Sequence, residues 1–428
     1  MLPNYCIFSI KEQSLGYARY FYYAAKIVYN IMIHIFTSLY PTSTRGAGGF
    51  ISERINILQK EKIPYKLYVI VPKYSQIVKL LYKFIRGKQL DTTPIGWCID
   101  AEQIIVHMST LGVILWMIHP FYYTKKMYAS LLSKDIRLDS STIFHAQYYF
   151  PLGFCVSKLG QLYGVKSIIT CHDNSSIKLI EKLNSNNKRK VSSILKQTDR
   201  IIFVSQGILN SALSRDQVSD NTVVIHNGMN HDYFNPIPFE TAVDRTRYRP
   251  SKKYVVGFVG RIVYEKRADK FPEIFSHIKS IIDDVEFIIV GPQENKSYIS
   301  MLEKLPFDVK LIGAVTKDEL NSWYNLFDVL ILPSRHEAWG LVVREAYACG
   351  IPVVGSDVEG IPESMGGMGV LVPDGDNFEV RFASAVCDVL LGNVVVKREE
   401  LIEFVKDTTW DAQTKKEIEL YKSLSDTQ

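Results

Sequence analysis

Cysteine is sparse in this sequence and nowhere paired. The six residues, Cys6, Cys98, Cys155, Cys171, Cys349 and Cys387, include no Cys-x-x-Cys. That argues against a disulfide scaffold and a zinc ribbon, and fits a reducing compartment. No stretch of about 18 apolar residues runs without polar interruption. The best candidate, residues 104–118, is short and carries His107, Ser109 and Thr110. The opening lacks the basic start and small-residue cleavage site of a secretion signal, so the tyrosine-rich residues 1–30 read as an aromatic extension. Gly-x-Gly-x-x-Gly and Gly-Lys-Ser/Thr are both absent. Neither a dinucleotide fingerprint nor a Walker P-loop is therefore present.

What remains is an ordinary globular mixture, 47% apolar and 22% charged over 428 residues, enough for two or three domains with large cores. The net charge of +5 is unevenly placed. Residues 1–240 hold 27 Lys and Arg against 15 Asp and Glu, whereas residues 241–428 hold 23 against 30. A basic first half suggests an anionic partner. Nucleic acid is set aside, because no reading module or dense aromatic–basic patch is present. An anionic membrane surface, or a merely solvated basic face, is left.

Short β-branched runs alternate with helical stretches. In the first half, residues 31–36, 67–71, 167–171, 200–204 and 222–225 read as strands, with helices at 50–60, 151–163 and 176–197. In the second, strands fall at 254–259, 285–290, 309–312, 329–332, 352–354 and 369–372, with helices at 271–283 and 317–327. This pattern predicts an α/β fold of two Rossmann-like, doubly wound parallel-sheet domains facing across a deep cleft. Ligands in such sheets bind outside the carboxyl ends of the strands. The expected organisation is an extension over 1–30, a first domain over 31–240 with an insert at 73–140, a second domain over 241–408, and a helix over 409–428 crossing back to the first. The proline-bearing stretch 235–253 reads as the linker. Within the insert, Ile77, Leu80, Leu81, Phe84 and Ile85 recur at helical spacing beside Lys79, Lys83, Arg86 and Lys88. Such a basic amphipathic helix either lies on an anionic membrane or packs its stripe on the first sheet.

Three loops carry candidate chemistry. Pro333-Ser-Arg-His-Glu-Ala-Trp-Gly-Leu follows a strand and opens a helix near Trp339 and Gly340, which closes at Gly350. The helix start offers amide donors backed by its dipole, an anion site. Glu337 sits on its loop and Glu345 within the helix. Gly260-Arg-Ile-Val-Tyr-Glu-Lys ends another strand, and its Arg261 and Lys266 can neutralise a diphosphate. Arg45-Gly-Ala-Gly-Gly-Phe supplies Gly48 and Gly49 for close backbone approach to a phosphate or sugar. Each has a plainer reading too: a capped surface helix, a salt-bridged loop and a flexible turn.

Glu337-x7-Glu345 within Pro-Ser-x-x-Glu-x-Trp-Gly-Leu…Glu-Ala…Gly-x-Pro-Val-Val closely resembles the retaining glycosyltransferases of family 4, which have the GT-B fold and include bacterial-type polysaccharide and glycolipid enzymes. Gly260-Arg261…Lys266 resembles that family's diphosphate loop, and Gly48-Gly49 its first glycine loop. Phe144-His-Ala, Cys171-His-Asp, Ile225-His-Asn-Gly, Gly360-Ile-Pro-Glu363 and Gly369-Val-Leu-Val-Pro follow in order. The resemblance covers roughly residues 31–425. It implies that Arg261 and Lys266 hold the nucleotide diphosphate, that Glu345 binds ribose hydroxyls, and that Glu337 contacts the donor sugar. It also implies that His172 faces that sugar across the cleft. Gly260 and the amides near Trp339, Gly340 and Leu341 would meet phosphate or sugar, and Ala314 and Val315 the base. Ala338, Trp339 and Arg267 depart from the family pattern. Arg267 would be either a third phosphate cation or a surface residue.

The resemblance further implies a hexosyltransferase-type enzyme using a nucleotide sugar and a hydroxyl acceptor, with no cofactor and no metal. Asp374-Gly-Asp376 fits a manganese pattern but reads better as a surface turn. The leaving phosphate would accept the acceptor's proton in a front-face reaction. The basic first half favours a lipid-linked or cell-surface polysaccharide precursor, met in the cytoplasm at the inner face of the cell membrane. A soluble disaccharide or sugar-phosphate synthase is one alternative, and a non-catalytic nucleotide-sugar-binding subunit another.

Overall fold

The computed structural model describes residues 31–38, 49–86, 101–119, 121–139, 141–293 and 295–426. The expectations for residues 1–30 and for Gly48 lie outside them. The first lobe is an all-parallel sheet of strands β1 (Met32–Thr37), β2 (Tyr65–Tyr74), β3 (Glu102–Met108), β4 (Thr142–Ala146), β5 (Lys166–Cys171), β6 (Arg200–Phe203) and β7 (Thr222–Val224), in the order β3-β2-β1-β4-β5-β6-β7. Its helices are α1 (Gly49–Lys60), α2 (Gln76–Arg86), α3 (Thr110–Ile118), α4 (Phe121–Leu132), α5 (Phe154–Tyr163), α6 (Ser175–Glu181), α7 (Ser185–Lys196) and α8 (Gln206–Leu213). The two-residue period of the strands divides their apolar side chains between two cores. Ile33, Ile35, Val69, Ile143, Ile168 and Ile202 pack beneath α1. Phe36, Tyr68, Ile70, Phe144, Ile169 and Ile201 pack beneath α4, α5 and α7.

The second lobe repeats the plan with β8 (Tyr254–Val259), β9 (Val285–Val290), β10 (Val309–Gly313), β11 (Val329–Leu332), β12 (Val353–Ser356) and β13 (Val370–Val372), all parallel, in the order β10-β9-β8-β11-β12-β13. Its helices are α9 (Phe239–Thr246), α10 (Phe271–Ile281), α11 (Lys296–Glu303), α12 (Lys317–Tyr324), α13 (Leu341–Ala348), α14 (Ile361–Met365), α15 (Phe378–Leu390) and α16 (Arg398–Val405). The final helix, α17 (Trp410–Ser425), lies on the first lobe, where Ile418, Tyr421 and Leu424 join the core beneath α1. A buried ion pair locks it there. Arg54 donates to Glu417 at 2.7 Å and to the Asn227 side-chain oxygen at 3.0 Å.

Three readings of the sequence need correction, and a fourth, left open between two alternatives, is narrowed. Residues 73–140 are not a free insert, because β3 pairs with β2 from Tyr68–Glu102 through Tyr74–Met108 and forms the sheet edge. Only Ile104, Val106 and Met108 of β3 are buried, on alternate positions, so it lacked the continuous apolar run of an inner strand. The stretch 235–253 is more than a linker. It contains α9, which packs on α12, and the amides of Asn235 and Ile237 donate to the side chains of Asn321 and Asn325. Residues 176–197 form two helices, with the Asn184 side chain capping the second. Finally, α2 does not pack its stripe on the sheet. Ile77, Leu80 and Leu81 are at least half exposed and Phe84 is 89% exposed. Leu111 and Ile114 of the neighbouring α3 are exposed as well.

Candidate active site

The strand order of the second sheet reverses direction between β8 and β11, so the loops leaving these two strands flank its crevice. They carry the 260–266 motif and the Glu337 motif, and backbone bonds stitch them together. The amides of Arg335 and His336 donate to the Glu265 carbonyl at 2.8 and 3.3 Å. Arg335 forks onto Asp269. Lys266 pairs with Glu337, and the two side chains are only 18% and 15% exposed. Arg261 lies on the same loop, exposed to solvent. The loop start is fixed by Gly260, whose amide donates to the Val290 carbonyl at 2.9 Å.

Gly340 has φ +78°, a left-handed conformation that turns the loop into α13. The amide of Val343 donates to the Gly340 carbonyl at 2.9 Å, so the amides of Leu341 and Val342 lie in the unpaired first turn. A side chain built on Gly340 would start 3.5 Å from Cγ of Glu337. Lys266, Glu337, Gly340 and the start of α13 therefore share one place. The Trp339 side chain has a separate part, to which the sequence pointed no further than a departure from the family pattern. Its ring is buried and stacks on His226 of the first lobe, centroids 4.1 Å apart at 11°. Further into α13, Glu345 accepts a 2.8 Å hydrogen bond from the Tyr324 hydroxyl. Burial raises the Glu345 carboxyl pKa, while that bond and the charge of Lys317 oppose the rise. Ala314 and Val315 follow β10 at the same carboxyl edge; Ala314 is exposed and Val315 packs against the core beneath α12 and α13.

Across the cleft, His172 follows β5 and is 9% exposed. Its Nε2 lies 3.0 Å from Oε1 of Gln147, and its Nδ1 is buried without a partner among the described residues. The Phe50 ring sits 4.2 Å away. Burial, reinforced by the charges of Arg54 and His145, holds the His172 pKa well below the usual histidine value. The ring is neutral at pH 7, donates through Nε2 to Gln147, and keeps Nδ1 as an acceptor. Gly49 opens α1, with open space where a side chain would stand. His172 has no hydrogen bond or ion pair to Lys266 or Glu337.

The lobes are joined by residues to which the sequence reading gave no role. Glu359 accepts from the Asn174 side chain of the first lobe at 2.8 Å and from the Glu337 amide at 2.9 Å, and Nδ1 of His336 lies 2.9 Å from it. Glu363 accepts from the Gln206 amide at 2.6 Å, and Nε2 of His226 lies 2.6 Å away. The Ser205 hydroxyl donates to the Ala338 carbonyl at 2.6 Å. Gly207 makes this approach possible, because any Cβ there would overlap the Glu359 carbonyl. His226, Gly360 and Glu363 all lay within motifs already recognised; only their pairing across the cleft was hidden. Arg267 is neither a phosphate cation nor a surface residue. It is 5% exposed, donates to the Pro333 carbonyl at 2.9 Å and to Asp374 at 2.8 Å, and lies 3.9 Å over the Phe378 ring. Asp374 is thereby committed to a brace. Among the described residues no cluster of His, Cys, Asp and Glu could hold a metal ion.

Two family models match the chain, one on each lobe. The model described as Glycosyltransferase Family 4 matches residues 98–233, and that described as Glycosyl transferases group 1 matches residues 253–391. The chain belongs to the glycosyltransferases of the family 4 type. A GDP-mannose-dependent alpha-(1-6)-phosphatidylinositol monomannoside mannosyltransferase of Mycobacterium tuberculosis is 30% identical to this family 4 chain over 208 residues, 45% of this chain and 53% of that protein. The match thus spans about half of that relative. An uncharacterized glycosyltransferase of Methanocaldococcus jannaschii is 24% identical over 331 residues, 75% of this chain and 84% of its own. Among solved structures, sucrose-phosphate synthase from Thermosynechococcus elongatus superposes with a TM-score of 0.70 at 20% identity, covering 93% of this chain and 100% of that one. Anabaena HepE in complex with UDP and glucose gives 0.64 at 16% identity, covering 92% and 100%. At such identities the likeness concerns the fold, and that fold is GT-B.

Proposed function

We propose that this protein is a retaining, hexosyltransferase-type enzyme that moves a sugar from a nucleoside-diphosphate sugar to a hydroxyl acceptor at an anionic membrane surface. The pairing of Lys266 with Glu337 beside the open first turn of α13 carries this reading. Breaking a sugar–phosphate bond leaves negative charge on the diphosphate and positive charge on the anomeric carbon. Lys266, Arg261 and the α13 amides are the groups to take up the first, and Glu337 lies where it can face the second. Glu345, already oriented by Tyr324, would take the ribose hydroxyls. The neutral His172, held by Gln147 and covered by Phe50, would wall the sugar's side of the cleft. The leaving phosphate takes the acceptor's proton in a front-face reaction. No metal or cofactor has a part in it, so transfer should survive EDTA; loss restored by manganese would contradict this.

The acceptor side of the reading draws on α2 and α3. Their exposed Ile77, Leu80, Leu81, Phe84, Leu111 and Ile114 sit beside Lys73, Lys79 and Lys83, the combination that binds an anionic bilayer. The working place would then be the cytoplasmic face of the cell membrane, and the acceptor a lipid-linked or cell-surface polysaccharide precursor. The test is a thermal-shift panel of UDP, GDP and ADP sugars joined to liposome sedimentation. A true donor at a hundred times its Kd adds ~2.7 kcal/mol of stability, and the protein should pellet with anionic but not neutral liposomes. Stabilisation by none of the donors would refute the transferase reading. Donor binding with no pelleting would point instead to a soluble disaccharide or sugar-phosphate synthase.

A further inference from the structure

Away from the cleft, a cavity of about 530 Å³ opens between α4, α5 and α7. These helices continue the layer that begins with α2 and α3: α3 packs on α4, α4 on α5 and α5 on α7. The cavity therefore begins on the helix next to the exposed apolar face of α2 and α3. Its wall is largely apolar, built from Phe121, Tyr128, Phe154 and Ile194. The charged residues of its lining are all cationic, Lys125, Lys158, Arg189 and Lys190, with no carboxylate. Among the described residues none of the four forms an ion pair. Lys158 rests 4.4 Å over the Tyr128 ring, and Arg189 donates to the Ser185 carbonyl and the Asn186 side chain. Thr124, also in the wall, is 1% exposed, and its hydroxyl has no partner among the described residues. A volume of this size suits one small ligand. An apolar wall with unpaired cations in the same lining selects a molecule with an apolar chain and an acidic head.

We propose that this cavity binds an anionic amphiphile, its alkyl or prenyl chain against Phe121, Phe154 and Ile194 and its phosphate-type head on the four cations. This goes beyond the transferase reading and does not need it. The probe is dodecyl phosphate below its micelle concentration, titrated calorimetrically against the full chain. Inorganic phosphate and dodecyl maltoside serve as the head-only and neutral-chain arms. Expected is one-to-one binding of dodecyl phosphate, at least about tenfold weaker when two charge-assisted contacts are removed in Lys158→Glu/Lys190→Glu. Ser193→Trp, placed on the exposed edge of α7 at the cavity, should abolish binding at an unchanged melting temperature. If that variant melts early, the lysine pair decides. Inorganic phosphate or dodecyl maltoside binding as tightly as dodecyl phosphate would overturn the proposal, and so would binding that survives both sets of substitutions. Nucleotide-sugar stabilisation, measured in the same variants, should be unchanged, which separates failure here from failure of the transferase reading.

Discussion

Replacing Glu337 by Gln tests the link between the Lys266 pair and the reaction. The change keeps side-chain size and removes one charge from a contact that is 15–18% exposed. Two unit charges 4 Å apart attract by about 4 kcal/mol at an effective dielectric of 20. Desolvation offsets much of that, leaving a net of ~1–2 kcal/mol for a partly buried pair. In the wild type a nucleoside diphosphate must share Lys266 with Glu337. In Glu337→Gln the ammonium is unopposed, so diphosphate affinity should rise about tenfold, equivalent to ~1.4 kcal/mol. Turnover should move the other way. Losing a group that stabilises transition-state charge costs about 10²–10³ in kcat. Calorimetric titration with the nucleoside diphosphate and steady-state transfer assays read the two effects separately. The reasoning fails if affinity and turnover fall together, or if neither changes.

Gly207→Ala should force the Glu359 carbonyl away and hold the lobes apart; transfer should drop at least about tenfold, since misplacing groups by an ångström costs that and more, with little change in the melting temperature, and wild-type kcat/KM would contradict this. Arg54→Met leaves Glu417, 1% exposed, without its cation; a loss of about 3–5 kcal/mol is expected by chemical denaturation, partly recovered by adding Glu417→Leu, and a neutral single variant would refute it. Stability should also fall with acid. Burial lowers the pKa of His34 from 6.5 to about 4 and of His145 to about 3, and that of His172 falls in the same direction. The unfolded chain takes up protons near pH 6.5 while the folded chain does not, so stability is full above that pH and is lost as pH drops towards 4, by at most ~1.4 kcal/mol per unit for each histidine. Equal melting temperatures at pH 7.5 and 5 would be the contrary result.

The two sheets were largely readable because their inner strands are near-continuous apolar runs rich in Val and Ile, as at β8 and β9. β3 was not, since an edge strand with one face in solvent alternates polar with apolar residues. β4 was quoted as a motif, Phe144-His-Ala, but not as a strand, since Thr142 and His145 break its apolar run. Lys266, Glu337 and Gly340 were legible as a group because each ends or follows a strand at the sheet's switch point, which topology brings together. The Glu359 and Glu363 bridges were not, since their partners lie more than a hundred positions away on the other lobe. Arg267 misled for a related reason. Its neighbours in sequence are cationic loop residues, but its partners in space, Asp374 and Phe378, make it a buried brace. The direction of the α2 stripe was likewise open, because the same spacing serves a core or a bilayer.

The central claim is that Arg261, Lys266 and the start of α13 hold a pyrophosphate. Calorimetric titration of UDP, GDP, ADP and CDP into the wild type, Arg261→Ala and Lys266→Ala tests it most directly. One nucleotide should bind the wild type and lose about tenfold or more in affinity on removal of either cation, as expected for a charge-assisted phosphate contact. Affinity that is indifferent to both substitutions, or binding of none of the four, would contradict it.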